Sequence, residues 1–297
     1  MRIVQLAVFA FIFLEIRRLF VTTDNVNNHI ELTIFIWYTQ IVTVYFERLR
    51  YKFESEEIEM VIAGIVAGGT GSRMGQNMMP KQFLELAKKP IVIHTIEKFM
   101  ASPSIDAIVV GVHPEWEHVM RDLVKKYFHD DERIVITVGG ATRNDTIKNI
   151  VDAAKENFKA DNDTVLVTHD AVRPFVSLKI IEENVIAAEQ YGICDTVIGA
   201  TDTIVQSENG QYITDIPVRS QMYQGQTPQS FKIGLFDEVF GGMSKEELEI
   251  VTDACKMFHL RGHKVQLVQG DVSNFKITYP FELKMARTIV EEGCNND

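Results

Sequence analysis

The amino-acid sequence predicts an α/β protein, a mostly parallel central sheet flanked by helices and carrying a projecting β-arm. From Met60 onward, short β-branched runs alternate with amphipathic stretches of helical period. The first run, Val61 to Ala67, opens directly into a glycine-rich turn, as strands do where backbone must approach a ligand closely. Late in the chain, Asn209-Gly210 stands between two β-rich runs, which is a hairpin-turn signal.

In order, Val61 to Ala67 reads as a buried strand, Ile91 to Met100 as a helix, Ile105 to Val112 as a strand and Glu115 to Phe128 as a helix. Ile134 to Val138 follows as a strand, Asn144 to Glu156 as a helix, Thr164 to His169 as a strand and Leu178 to Tyr191 as a helix. After Cys194 the rhythm changes: Thr203 to Ile216 reads as the hairpin arm. A helix from Lys245 to Phe258, a strand from Lys264 to Gln269 and a helix from Phe281 to Glu292 complete one domain, residues 60–297, with no internal repeat or linker. Ligands of such sheets collect at the carboxyl ends of the strands. The turn at Gly68, the pair Gly139-Gly140 and His169-Asp170 all fall at such ends, so one crevice can hold all three.

The stretch Ala63 to Gln82, AGIVAGGTGSRMGQNMMPKQ, joins the strand and glycine turn to two cations, Arg73 and Lys81. Arg73 offers a planar fork of donors and Lys81 a mobile point charge, a pair suited to the negative charge that grows when a phosphoryl group is attacked. The spacing excludes two other phosphate loops. No Lys-Ser or Lys-Thr follows the glycines as a Walker A loop requires, and Gly69, Gly71 and Gly75 make GxGxxxG, one residue too long for a dinucleotide fingerprint. Read alone, the loop also fits, as the lesser reading, a tight strand-to-helix turn with solvated charges.

Gly139 to Thr146, GGATRNDT, lies between a strand and a helix, where Arg143, Asn144 and Thr146 supply donors near a helix N-terminus. The plainer reading is a helix capped by Asn144 or Asp145. His169 to Pro174, HDAVRP, places Asp170 at a strand end, either as a Mg²⁺ ligand beside substrate phosphates or as the partner of Arg173. His169 reads as structural. Near the C-terminus, Phe275 and Ile277 alternate with Lys276, which in a strand turns the apolar pair inward and the ammonium into a cleft.

Composition narrows the function class. A formal charge of −11 across 297 residues argues against nucleic acid as the main partner, so any phosphate site is a local positive pocket. Cys194, Cys255 and Cys294 are odd in number and without a CxxC pair, which suggests neither a disulfide framework nor a zinc site and fits a reducing cytoplasm. The apolar runs Val4 to Leu14 and Leu32 to Phe46 both fall short of the roughly 20 residues that span a bilayer. Glu15, Arg17 and Arg18 stand where a signal peptide would place small residues for cleavage. Residues 1–59 are therefore expected to lie outside the catalytic fold, with Met60 as the natural start and no membrane partner. The alternative is an interfacial anchor flanked by Arg17, Arg18, Arg48, Arg50 and Lys52.

The ordered motifs AGGTGSRMG…PKQF, GGATRND, THDAVRPF, GQTPQSF, TDACK and NFKIT resemble the cytidylyltransferase family that contains the methylerythritol-4-phosphate and ribitol-5-phosphate enzymes. The resemblance covers essentially all of 60–297 and none of 1–59. YQGQTPQSF, LEIVTDACKMF, GVHPEW and VTHDAVRPF look like the ribitol branch, which supplies CDP-ribitol for teichoic acid polymers.

The resemblance implies a Rossmann-like nucleotidyltransferase fold. CTP would be held by Val66, Ala67, Gly68 and Gly69 and by Gly139, Gly140, Ala141, Thr142, Arg143, Asn144, Asp145 and Thr146, the last near the base where relatives often carry Ser. It also implies catalytic roles for Arg73 and Lys81 at the transition state, and for Arg219 and Lys276 in positioning a polyol phosphate. Asp170 would bind Mg²⁺, and the arm from about Thr203 to Arg219 would reach a partner protomer in a homodimer. Two departures stand out: Asp145-Thr146 where ribitol enzymes usually show Thr-Ser, and Val218 where Asn is common before the Arg. Competing expectations are the methylerythritol enzyme itself, a UTP- or GTP-dependent sugar-nucleotide pyrophosphorylase sharing the opening motif, and a non-catalytic nucleotide-binding scaffold.

Overall fold

A computed structural model of the chain describes residues 59–69, 79–251 and 253–294. The chain divides into two units, Met1–Tyr51 and Lys52–Asp297, and all of the described residues belong to the second. The expectations for residues 1–58, and the predicted place of Arg73, lie outside the described residues.

The elements run β1 (Val61–Ala67), β2 (Glu85–Leu86), β3 (Lys89–Pro90), α1 (Ile91–Ala101), β4 (Ala107–Val112), α2 (Glu117–Phe128), β5 (Ile134–Val138), α3 (Arg143–Phe158) and β6 (Val165–Asp170). They continue with α4 (Leu178–Tyr191), β7 (Ile193–Gly199), β8 (Tyr223–Lys232), α5 (Ile233–Gly241), α6 (Lys245–Ile250), α7 (Ala254–Leu260), β9 (Gln266–Gln269) and α8 (Pro280–Cys294). Seven strands form one sheet in the order β5-β4-β1-β6-β8-β7-β9, in which β8 alone runs against its neighbours. From β1 the chain runs to β4 and β5 on one side and then crosses from β5 to β6 on the other. The carboxyl ends of β1 and β6 thus flank a topological switch point, where α/β sheets bind ligands.

Side-chain alternation along β1 builds both layers of the core. Val61, Ala63, Ile65 and Ala67 pack with Ile93, Ile96 and Phe99 of α1, Met120 of α2 and Ile181 of α4. Ile62 turns to the opposite face, with Ile147 and Ile150 of α3, Phe236 of α5 and Phe258 of α7. Burying a side chain such as Ile96 or Phe99 contributes about 1.5–3 kcal/mol, so the strand is held from both sides. A small third cluster joins Leu86, Ile91 and Val172 to Ile277 and Leu283 and fastens the C-terminal segment beside the switch point.

Several elements differ from expectation. Strands β7 and β8 and helix α5 have no counterpart among the elements expected from sequence. The predicted helix Lys245 to Phe258 is two helices, each with its own N-cap: Ser244 in a capping box with Glu247, and Asp253 accepting from the Lys256 N–H. The arm is not a two-stranded ribbon. The chain reverses at Asn209-Gly210, with Gly210 at φ 73° and the Asn209 side chain accepting from the Gln211 and Tyr212 N–H groups. Its flanks share only the bridge Gln206–Asp215. Tyr212, Ile213 and Ile216 are all exposed, so among the described residues the flanks pack on no apolar face, and an unsupported hairpin is marginal.

Candidate active site

The four parallel strands β1, β4, β5 and β6 end along one edge, and the segments leaving them line a cavity of about 660 Å³. From β1 come Val66 to Gly69, from β4 His113 and Pro114, from β5 Gly139 to Arg143 with Thr146, and from β6 Asp170 with Ala171 and Val172. Lys81 and Gln82 reach in from the turn after the glycine loop, and Lys276 and Thr278 from the segment before α8.

The β5–α3 loop is built by local chemistry. Thr142 caps α3 by accepting from the Asp145 N–H, while Asp145 accepts from the Thr142 N–H, a reciprocal capping box. Thr146 Oγ1 accepts from the Gly140 N–H at 3.0 Å and donates to the Thr142 carbonyl at 2.9 Å, tying the loop back on itself. Neither expected cap, Asn144 or Asp145, is the N-cap residue. Asn144 is buried and donates to the Val251 carbonyl, and Asp145 serves the capping box, so both support the loop rather than line the cavity.

Arg143 directs its guanidinium at Asp170, with Nε 3.5 Å from Oδ1, and leaves Nη1 and Nη2 buried without a hydrogen-bond partner among the described residues. Buried orphan donors carry a desolvation cost that a ligand's acceptors would relieve.

Asp170 is ion-paired with three cations, Lys276 at 2.9 Å, Arg173 at 3.4 Å and Arg143 at 3.5 Å. Burial alone would raise its carboxyl, but the charges of Arg143, Lys276 and Arg173 together outweigh burial and hold it well below the usual carboxylate range. The expected Asp170–Arg173 pairing is therefore present, as one member of a larger cluster. Arg173 is fixed in turn by donating to the Asn274 carbonyl at 2.7 Å.

His169 is fully buried, and burial pushes it down to about 4, so it is neutral at pH 7. Its Nε2 faces the Arg173 carbonyl and its Nδ1 the Thr227 hydroxyl, which also accepts from the Asp170 N–H. A carbonyl can only accept, so Nε2 carries the proton and Nδ1 accepts from Thr227. The structural reading of His169 agrees with this arrangement.

Segment 274–278 is not a strand, yet the alternation holds. Ile277 is buried and its N–H donates to the Val172 carbonyl, Phe275 packs against Phe175, and Lys276 faces the cavity. Arg219 lies elsewhere, exposed in a single turn, Arg219–Gln221, with Nη1 donating to the Thr201 carbonyl. Sequence reasoning missed Gln82, whose side-chain amide donates to the Ala67 and Gly69 carbonyls at 2.8 and 2.9 Å and so shapes the start of the glycine loop. Its signals were adjacency to Lys81 and its place in the PKQF motif. Thr227 and Asn274 stood in the motifs GQTPQSF and NFKIT, but their roles were not legible there because they depend on contacts with residues distant in sequence.

The family model for 2-C-methyl-D-erythritol 4-phosphate cytidylyltransferase (IspD) matches residues 61–292. The chain is 52% identical over 234 residues to "Ribitol-5-phosphate cytidylyltransferase" of Streptococcus pneumoniae serotype 2 (strain D39 / NCTC 7466), a match covering 78% of this chain and all of that relative. Among solved structures it resembles the 4-diphosphocytidyl-2C-methyl-D-erythritol synthase of Anaerococcus prevotii DSM 20548, with TM-score 0.66, 25% identity, and coverage of 78% of this chain and 96% of the other. The 2-C-methyl-D-erythritol 4-phosphate cytidylyltransferase of Francisella tularensis is similar too, with TM-score 0.64, 25% identity, and coverage of 77% and 99%. With the glycine loops, the cationic cavity and the Asp170 cluster at the switch point of this sheet, the chain belongs to the IspD cytidylyltransferase family and is a nucleotidyltransferase.

Proposed function

We propose that the protein transfers the cytidylyl group of CTP to D-ribitol 5-phosphate, giving CDP-ribitol and pyrophosphate, for teichoic acid synthesis. The observation that carries the reading is the charge of the cavity. Lys81, Arg143 and Lys276 converge on it, and Asp170 is the only carboxylate lining it among the described residues, in a chain whose net charge is −11. A positive pocket in an acidic protein is matched to phosphates. The ribitol acceptor is supported by the 52% identity to the pneumococcal relative.

The chemistry needs no general base. The acceptor phosphate is already anionic at pH 7 and attacks the α-phosphorus of CTP in line with departing pyrophosphate, so catalysis is positioning and neutralisation. The backbone of Gly68-Gly69 and Gly139 to Thr142 would cradle the nucleotide, with the orphan nitrogens of Arg143 donating to it. Lys81, and Arg73 from outside the described residues, would neutralise the transition state, while Lys276 would swing from Asp170 to the acceptor phosphate.

For Mg²⁺, Asp170 is the one carboxylate lining the cavity among the described residues, and it already faces Arg143, Arg173 and Lys276, so the ion would draw most of its ligands from phosphates and water and would need Lys276 to move away. Bound at Asp170, Mg²⁺ would supply charge neutralisation of the triphosphate. The exposed apolar side chains of the loop, Tyr212, Ile213, Ile216 and Val218, support a homodimer in which that loop, with Arg219, meets a partner. Among the described residues no helix is long and apolar enough to cross a membrane. A cytoplasmic setting rests on the cysteine usage.

Pyrophosphate release from CTP is the test, measured side by side with ribitol 5-phosphate and 2-C-methyl-D-erythritol 4-phosphate. Turnover with the first supports the proposal. Turnover confined to the second replaces it with the methylerythritol reaction.

A further inference from the structure

Gly111 lies inside β4, paired with Val66 of β1 on one side and Thr137 of β5 on the other, so its backbone is pinned by two ladders. A Cβ there would stand 2.7 Å from Thr146 Cγ2 and 3.0 Å from Ile150 Cδ1. Ile150, whose Cγ1 would also stand 3.1 Å away, is touched less closely than Thr146 and needs to give by only a few tenths of an ångström. Thr146 cannot do so without consequence.

Threonine is β-branched and stiff at χ1, with methyl and hydroxyl on the same carbon. Moving Cγ2 away from position 111 carries Oγ1 with it, and Oγ1 is the atom that accepts from the Gly140 N–H and donates to the Thr142 carbonyl. Gly68 and Gly139, after the two neighbouring strands, also border Thr146, with would-be Cβ atoms 3.3 and 3.1 Å from Oγ1. The threonine thus occupies a hollow bounded by glycines of three adjacent strands. Gly68, Gly139 and Thr146 all line the cavity, whereas Gly111 does not.

We propose that Gly111 is a positioning residue for nucleotide binding: by lacking a side chain it lets a threonine, with its extra methyl, do what a serine hydroxyl at position 146 would do, holding the Gly139 to Thr142 loop in its ligand-binding shape. The inference rests on the reading of this cavity as the CTP site. It accounts for Thr146 in a place where a smaller hydroxyl side chain would make the same two hydrogen bonds.

The test is a double-mutant cycle on the full chain with Gly111→Ala, Thr146→Ser and both, measuring KM for CTP, kcat, Kd for CTP by titration, and Tm. Gly111→Ala is expected to raise KM and Kd for CTP roughly tenfold with a much smaller change in kcat, while the same substitution in the Thr146→Ser background changes them by less than about twofold, because the clashing methyl is gone. An equal penalty in both backgrounds, or unchanged CTP affinity for Gly111→Ala, overturns the proposal. If Gly111→Ala does not fold, Thr146→Val decides. It keeps the shape against Gly111 and the Thr146 N–H bond to the Thr142 carbonyl, but removes the hydroxyl that accepts from the Gly140 N–H, so CTP affinity must fall, and unchanged affinity overturns the proposal. A wild-type chain that neither binds nor turns over CTP instead overturns the reading of the cavity.

Discussion

The loop 139–146 and the loop 200–222 are made of similar residues and end differently. Both contain glycine, Asn or Asp, and hydroxyl side chains that bind their own backbone. The first is anchored to the body: the Gly139 N–H donates to the Val112 carbonyl of β4, Asn144 to the Val251 carbonyl, and Ile147 and Ile150 of the following helix are fully buried. The second bonds mainly to itself, through Gln206–Asp215, Ser207 Oγ to the Tyr212 carbonyl and Arg219 to the Thr201 carbonyl, and leaves its apolar side chains in water. Turn chemistry shapes a loop locally in both cases. Only burial against a core turns that shape into a site within one protomer.

If the cavity side is the tightly coupled one, substitutions there have large effects and those in the outer loop small ones. Asp170→Ala leaves Arg143, Arg173 and Lys276 facing one another, and an uncompensated buried charge typically costs about 3–5 kcal/mol. Denaturant unfolding near pH 7 should show most of that loss. The sign of its pH dependence follows from the lowered folded-state value: the stabilisation by Asp170 is fully present above the unfolded carboxyl's range and is lost as pH falls through the folded one. The wild-type advantage over Asp170→Ala should therefore persist at pH 5 and shrink only in strong acid, and a difference already gone at pH 5 would break the account.

Next in size, Lys81→Ala should lower kcat by about 10²-fold, on the order of 3 kcal/mol of lost transition-state stabilisation, as read by pyrophosphate release. Near-normal turnover would remove Lys81 from the chemistry.

A third prediction concerns Asp195 of β7, which accepts from Gln229 at 3.1 Å. Burial raises it to about 6, and the neighbouring Asp253 adds to the rise. Here the folded state holds its proton more tightly than the unfolded, so stability falls as pH rises from about 4 to about 6. Asp195→Asn should raise Tm at pH 7 by the equivalent of about 1–3 kcal/mol, a gain that disappears toward pH 4. A gain independent of pH would show that the carboxyl is not the cause.

The smallest effect belongs to the outer loop. Ile213→Ser should change protomer stability by no more than about 0.5 kcal/mol, as exposed substitutions do. If that loop meets a partner protomer, sedimentation should show the dimer shifting toward monomer, and an unchanged dimer would move the interface elsewhere.

The parallel half of the fold was legible because its signals are local and repeated. Val61 to Ala67, Ile134 to Val138 and Leu178 to Tyr191 are strands and a helix with the predicted bounds. Strands β7 and β8 were missed because β8, YQGQTPQSFK, has mixed polarity and contains proline, and only its antiparallel fit between β6 and β7 buries Gln226 to Phe231. The predicted Lys245 to Phe258 helix carried one continuous periodicity, but Asp253 starts a new helix where its side chain can cap.

By itself, the sequence determined the strand-and-helix rhythm, the glycine turns at strand ends, and the presence of Lys81, Arg143, Asp170 and Lys276, because periodicity and turn chemistry act over a few neighbouring residues. Only the tertiary structure decided that these four groups line one cavity, that Asp170 is shared by three cations, that Asn144 and Asp145 support the loop while Thr142 caps it, and that Arg219 stands apart within the protomer. Those outcomes depend on contacts between residues as far apart as Arg173 and Asn274, which form only when the sheet brings the strand ends to one edge.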